Sequence, residues 1–116
     1  MTILVAVSDD DEGRAALAAA VGEGERRHAE IHAVNLGRGP LATPPGAKVT
    51  VIDRTMGVED GDMVLGTLRR EPDVELLVIG VRRRSPVGKA LLGDVAQRLL
   101  LEVEVPVLAV KPPRAA

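Results

Sequence analysis

The sequence predicts a single α/β domain in which an open, five-stranded parallel sheet carries helices on both faces. Short apolar runs alternate with amphipathic segments along the whole chain. A chain of 116 residues is long enough for one aliphatic core and too short for two cores. Hydrophobic residues make up 46% and charged residues 28%, the balance of a globular protein. We therefore expect residues 1–116 to form one domain.

The first half of the chain begins with an apolar, β-branched run over residues 3–7, which predicts a buried parallel strand. The acidic sequence SDDDEG follows and supplies capping residues for a helix over about 12–27. Residues 29–36 predict a second strand. Residues 37–48 contain three glycines and three prolines, so they predict a long and mobile loop.

The second half continues the alternation of strands and helices. Its strongest apolar run, VELLVIGV, predicts the central strand of the sheet. Its final prolines predict a frayed tail. The predicted elements are strand 49–53, helix 59–72, strand 74–81, a helix ending near 102, strand 105–110 and tail 112–116.

Composition excludes several classes of function. The chain has no Phe, Tyr or Trp on which bases could stack, and its net charge of −2 attracts neither nucleic acid nor anionic membrane. It has no cysteine for disulfides, thiolate metal sites or nucleophilic catalysis. The N-terminus starts directly as a strand, without an apolar leader, so we expect a cytoplasmic protein.

The stretch GVRRRSPVGKALLGD, residues 80–94, is the strongest functional signal. It follows the fourth predicted strand and precedes a helix, and ligands of parallel sheets bind beyond the carboxyl ends of the strands. Its glycines permit a close backbone approach, and its cations (Arg82, Arg83, Arg84, Lys89) favour an anion at the helix N-terminus. Asp94 opposes this reading: the sequence DVAQ predicts a capping box in which Asp94 occupies the N–H groups that a phosphate would use.

This pattern resembles the universal stress protein family, whose ATP-binding members carry Gly, two residues, Gly, nine residues, Gly and then Ser or Thr. Gly80 and Gly93 match that register, whereas Arg83 and Asp94 depart from it. RSPVGKALLG and VAQRLLLEVEVPVLAVKP also look like family sequence. The resemblance covers nearly the whole chain and implies a Rossmann-like sheet.

The resemblance implies a non-catalytic protein of the stress response that binds or senses ATP, another adenine nucleotide with Mg²⁺, or a smaller anion. Ser8 stands where the family has an acidic ribose ligand, and Asp9 is its predicted substitute. Arg83 and Asp94 predict a weakened phosphate site. The residues implied to line the ligand are Val7, Ser8, Asp9, Leu36, Gly80, Arg82, Arg83, Arg84, Gly93, Asp94 and Val95. The family also implies a homodimer joined through residues 105–111.

Two alternatives stay open. The departures at Arg83 and Asp94 suit a relative that has kept the fold, lost the nucleotide and acts through protein contacts. A phosphorylation receiver-like domain would use Asp9 and Asp10 for Mg²⁺, Asp53 as phosphoryl acceptor and Lys111 as its partner. No enzyme is indicated, because neither serine lies in a nucleophile-elbow pattern and two histidines are too few for a metal centre.

Overall fold

The computed structural model describes residues 1–82 and 93–113. Over these residues the chain alternates five strands with three helices, as the sequence predicts. The strands are β1 (Thr2–Val7), β2 (Glu30–Asn35), β3 (Val49–Asp53), β4 (Val74–Gly80) and β5 (Val107–Val110). The helices are α1 (Asp11–Arg27), α2 (Asp60–Arg70) and α3 (Asp94–Glu102).

The strands are all parallel and lie in the order β3-β2-β1-β4-β5. β1 is the central strand, and all six of its residues are buried. The prediction that residues 74–81 form the centre of the sheet is wrong, since β4 lies one position away from it. Both strands are covered on two faces and are therefore equally apolar, so composition does not order them.

Helices cover both faces of the sheet, as predicted. α1 packs Ala16, Leu17 and Ala20 into one core with the odd-numbered residues of β1. α2 and α3 form the core on the other face, where Val64 and Leu99 are almost completely buried. None of the helices in the described part of the chain is long and apolar enough to cross a membrane.

The connection between β2 and β3 has no helix. Residues 37–48, for which the sequence predicts a mobile loop, contain neither helix nor strand. The step from β2 to β3 moves across the sheet in the same direction as the step from β1 to β2, which α1 makes. The connection therefore runs on the face that α1 occupies. Leu41 from the loop packs against the α1 core.

Candidate functional site

The sheet has its switch point between β1 and β4. From β1 the chain proceeds to β2 and β3 on one side, and β4 and β5 lie on the other. The connections after β1 and β4 therefore leave the sheet in opposite directions and open a crevice at the carboxyl ends of the strands. We name this crevice of about 290 Å³ the switch-point cleft; residues from the ends of β1, β2 and β4 and from the starts of α1, α2 and α3 line it. The cleft lies between the connections after β1 and β4, where the sequence predicts the ligand site.

Close backbone contact between α1 and the two central strands shapes the floor of the cleft. A Cβ atom on Gly80 would overlap the carbonyl oxygen of Glu12 and lie 2.6 Å from its carbonyl carbon. A Cβ on Gly13 would overlap the carbonyl oxygen of Ser8 in the same way. Both glycines are required because the first turn of α1 packs directly against the strand ends. A ligand in the cleft therefore meets backbone groups as well as side chains.

The N-terminus of α1 is capped by Asp10. Its carboxylate accepts a hydrogen bond from Gly13 N at 2.8 Å and another from Ser8 Oγ at 2.6 Å. Both Ser8 and Asp10 line the switch-point cleft. The predicted substitute for the missing ribose ligand, Asp9, lies outside it. Asp10, rather than Asp9, is therefore placed to contact a ligand in the cleft.

The N-terminus of α3 opens into the cleft without a side-chain cap. Gly93 is the N-cap, with extended backbone (φ −64°, ψ 158°), and its carbonyl accepts from Gln97 N at 3.0 Å. The predicted capping box is therefore wrong, because Asp94 is already the first helical residue and makes no capping bond. A glycine takes the extended cap conformation without steric cost. Within the described residues, the first N–H groups of α3 have no side-chain partner in the cleft, and the Asp94 carboxylate is exposed at its margin.

The end of β2 forms the opposite wall of the cleft. Leu36 lies there, as predicted, with its side chain only 8% exposed. Arg54 donates to Leu36 O at 2.7 Å and to Val58 O at 3.1 Å, and its guanidinium contacts Asp60 Oδ1 at 2.9 Å. Sequence reasoning missed Arg54 and Asp60, because it assigned the acids near residue 60 only to the start of a helix. Arg54 directly follows the end of β3, and that position was the signal that could have identified it.

The predicted ligand residues fall into three groups. Val7 and Asp9 line a neighbouring depression of about 230 Å³ on the α1 side, a depression that Ser8 also borders. Arg83 and Arg84 lie outside the described residues, as do Ser85, Gly88 and Lys89. The residues placed in the switch-point cleft are Ser8, Leu36, Gly80, Arg82, Gly93, Asp94 and Val95.

The described lining of the cleft is predominantly acidic. It contains the carboxylates of Asp10, Glu12, Asp94 and Asp60, the last paired with Arg54, and the guanidinium of Arg82. Backbone N–H groups and helix dipoles attract an anion, whereas these carboxylates repel it. Within residues 1–82 and 93–113, no group of three or more His, Asp or Glu side chains is arranged to hold a metal ion.

A receiver-type arrangement of carboxylates does not form. β3 is an edge strand, and β2 separates its end from the end of β1. Asp53, at the end of β3, accepts a hydrogen bond from Asn35 Nδ2 at 3.2 Å. β2 therefore lies between Asp53 and the pair Asp9 and Asp10. This sheet order contradicts the receiver alternative.

A larger depression, of about 470 Å³, lies at the opposite end of the sheet, between the ends of α2 and α3. Two of its carboxylates are engaged within the fold: Glu71 contacts His32 Nδ1, and Glu102 accepts from Arg98 Nε at 2.9 Å. Helix C-termini and strand starts surround it, and such ends do not favour an anion. The switch-point cleft is therefore the better candidate site.

The fold is a doubly wound α/β domain with a crevice at its switch point, and comparison with known proteins agrees with this fold. The sequence model of the universal stress protein family matches residues 41–111. A universal stress protein of Mycolicibacterium smegmatis is 39% identical over 127 aligned positions, which cover 95% of this chain and 97% of that protein. The chain belongs to the universal stress protein family.

Solved structures of the family share the fold. A universal stress protein from Archaeoglobus fulgidus superposes with a TM-score of 0.75 at 27% identity, over 96% of this chain and 98% of its own. The universal stress protein from the same organism in complex with dAMP gives a TM-score of 0.68 at 23% identity, with the same coverage. The latter likeness shows a shared fold.

Proposed function

We propose that this protein binds an adenine nucleotide in the switch-point cleft and acts in the stress response as a non-catalytic sensor. One observation carries the proposal. The N-terminus of α3 opens into the cleft behind a glycine N-cap, and no side chain of residues 1–82 or 93–113 is hydrogen-bonded to its first N–H groups. Unpaired N–H groups and the positive end of a helix dipole form a binding site for phosphate.

The remainder of the cleft suits the other parts of a nucleotide. Leu36 offers an apolar wall for a base, and Ser8 and Asp10 offer oxygen atoms for ribose hydroxyls. Arg82 supplies a cation on the β4 side. The related Archaeoglobus fulgidus protein was solved with dAMP, which supports an adenine nucleotide as the ligand.

The carboxylates in the described part of the lining predict weak affinity and a requirement for Mg²⁺. The Asp94 carboxylate lies at the same helix end that would bind phosphate. A divalent cation between carboxylates and phosphate would offset their repulsion. We therefore expect Mg-ATP to bind more tightly than ATP in the presence of a chelator.

The composition provides a direct test. Without Trp, Tyr or Cys the protein absorbs almost nothing at 280 nm, so an absorption band near 260 nm on the purified protein reports bound nucleotide. Calorimetric titration with Mg-ATP and Mg-AMP then measures affinity on protein stripped of ligand. Neither an absorption band nor a heat of binding would contradict the proposal. That result would favour the second candidate function, in which the protein has lost the nucleotide and acts through protein contacts. The exposed Asp94 carboxylate at the proposed phosphate position favours this alternative.

We also propose a homodimer joined through residues 105–111. β5 is an edge strand that pairs only with β4 in the described chain. Pro106 O and Val110 O accept hydrogen bonds from β4, so the alternate residues Val107 and Ala109 direct their N–H and C=O groups to the open edge. An unpaired edge of this kind is a template for a second strand.

Light scattering tests the dimer. We expect twice the monomer mass at micromolar concentration, and a shift to monomer in Ala109→Pro, which removes one outward N–H group. Proline is tolerated on an edge strand where its nitrogen faces solvent, so the variant should retain the fold and its circular dichroism spectrum. A wild-type monomer would contradict the proposal.

A further inference from the structure

We propose that Asp60, held in place by Arg54, selects the base of the bound nucleotide by accepting a hydrogen bond from the 6-amino group of adenine. The inference rests on the proposed function and adds a specificity residue to it. It predicts discrimination between 6-amino and 6-oxo purines in the switch-point cleft.

Arg54 fixes the position of Asp60 relative to the wall of the cleft. Its guanidinium lies 2.7 Å from Leu36 O and 2.9 Å from Asp60 Oδ1, so one planar group joins the end of β2 to the first residue of α2. A third bond, to Val58 O at 3.1 Å, holds the intervening loop. The Asp60 carboxylate is therefore anchored beside the Leu36 wall.

The contacts leave one acceptor for a ligand. Arg54 contacts Oδ1 of Asp60, and no described residue hydrogen-bonds to Oδ2. The Leu36 carbonyl already accepts from Arg54, so it is less available to a base. An ionised carboxylate accepts hydrogen bonds and donates none. The Leu36 end of the cleft therefore presents a charged acceptor to the ligand.

Charge orients the ligand in the cleft. The phosphate binds best at the N-terminus of α3, where Gly93 leaves the helix N–H groups open. The Asp60–Arg54 ion pair has no net charge to attract phosphate, so the Leu36 end suits the uncharged base. The 6-amino group of adenine is a donor that matches the carboxylate. The 6-oxo group of hypoxanthine is an acceptor that opposes it.

The test compares AMP with IMP, which carry the same charge on phosphate and differ at position 6. Because hydrogen bonds to charged groups are strong and Asp60 is partly exposed, we expect the wild type to bind AMP about tenfold more tightly than IMP. In Asp60→Asn the side-chain amide can donate to a 6-oxo group, so the ratio should fall to about twofold or less. Calorimetric titration with each nucleotide in Mg²⁺ gives both affinities.

Asp62→Asn is the matched control. Asp62 lies on the same helix and is paired with Arg98 at 2.7 Å, outside the cleft lining. The tenfold ratio of AMP to IMP affinity should persist in Asp62→Asn. Asp60→Glu keeps a carboxylate at the site and should retain part of the ratio that Asp60→Asn loses. Equal wild-type affinities, or a ratio that survives Asp60→Asn, would overturn the inference and leave nucleotide binding standing. Failure of both nucleotides to bind would overturn the proposed function together with the inference.

Discussion

Gly80→Ala tests whether backbone contact between α1 and β4 shapes the cleft. The new methyl group would lie 2.6 Å from the carbonyl carbon of Glu12, whereas carbon atoms in contact are separated by about 3.5–4.0 Å. Relief requires α1 to move by about 1 Å relative to the sheet. The atoms in the way are the carbonyl group of Glu12 and its Cβ, none of which a side-chain rotation can move, so the overlap cannot be relieved in that way.

The expected loss of stability follows from two opposing contributions. Overpacking of this kind costs about 1–3 kcal/mol, and removing a glycine from the unfolded chain returns about 0.4–1 kcal/mol. With each contribution at the middle of its range, the net destabilisation is about 1.3 kcal/mol. An unfolding entropy of about 2.1 cal/mol/K per residue gives about 0.24 kcal/mol/K for 116 residues. The melting temperature should therefore fall by about 5 °C.

Differential scanning calorimetry of the ligand-free protein measures this change. Gly39→Ala is the matched control, because a Cβ there meets nothing within 4 Å and its backbone does not have positive φ. Its melting temperature should be unchanged or up to about 4 °C higher. If Gly80→Ala melts at or above the wild-type temperature, the close approach of α1 to β4 is not required by the fold.

Two further predictions concern charge. Hydrogen bonds from Arg26 and Arg27 lower the pKa of Glu23 from its ordinary value. The ionised carboxylate therefore stabilises the fold fully above the unfolded-state pKa of about 4.3. This contribution is lost as the pH falls through the lowered pKa. Melting temperatures of Glu23→Gln should lie below wild type at pH 7 and converge with it between about pH 5 and pH 3; a constant gap would contradict this assignment. Asp94→Ser removes a negative charge beside the free N–H groups of α3 and should tighten nucleotide binding about three- to tenfold in titration calorimetry, whereas Asp62→Ser should not. Unchanged or weaker binding by Asp94→Ser would contradict the account of the phosphate end.

Local pattern predicted the elements of the fold well. The run VTVID gave the bounds of β3 (Val49–Asp53) without error, because its apolar residues are flanked by loop signals on both sides. The acids of SDDDEG supplied the N-cap of α1, which is Asp10. The order of the strands was harder to predict. β1 and β4 have the same buried environment, and only their hydrogen-bonded neighbours distinguish the centre from its flank.

The candidate site was predicted in place but not in detail. Its position follows from the alternation of strands and helices, which puts the ends of β1 and β4 together. The cap of α3 was wrong because Gly93 and Asp94 both suit an N-cap, and the backbone geometry decides between them. Arg54 and Asp60 meet through a turn that carries no pattern of its own, so their ion pair becomes visible only in the folded chain.

The most direct test of the central claim is an amide NMR titration of the ligand-free protein with Mg-AMP. Binding in the switch-point cleft predicts the largest shift changes at Gly80, Gly93 and Val95, around the proposed phosphate position, and smaller ones at Leu36 near the base. An absence of shift changes at saturating nucleotide, or changes confined to the depression around Val103 at the other end of the sheet, would contradict the account.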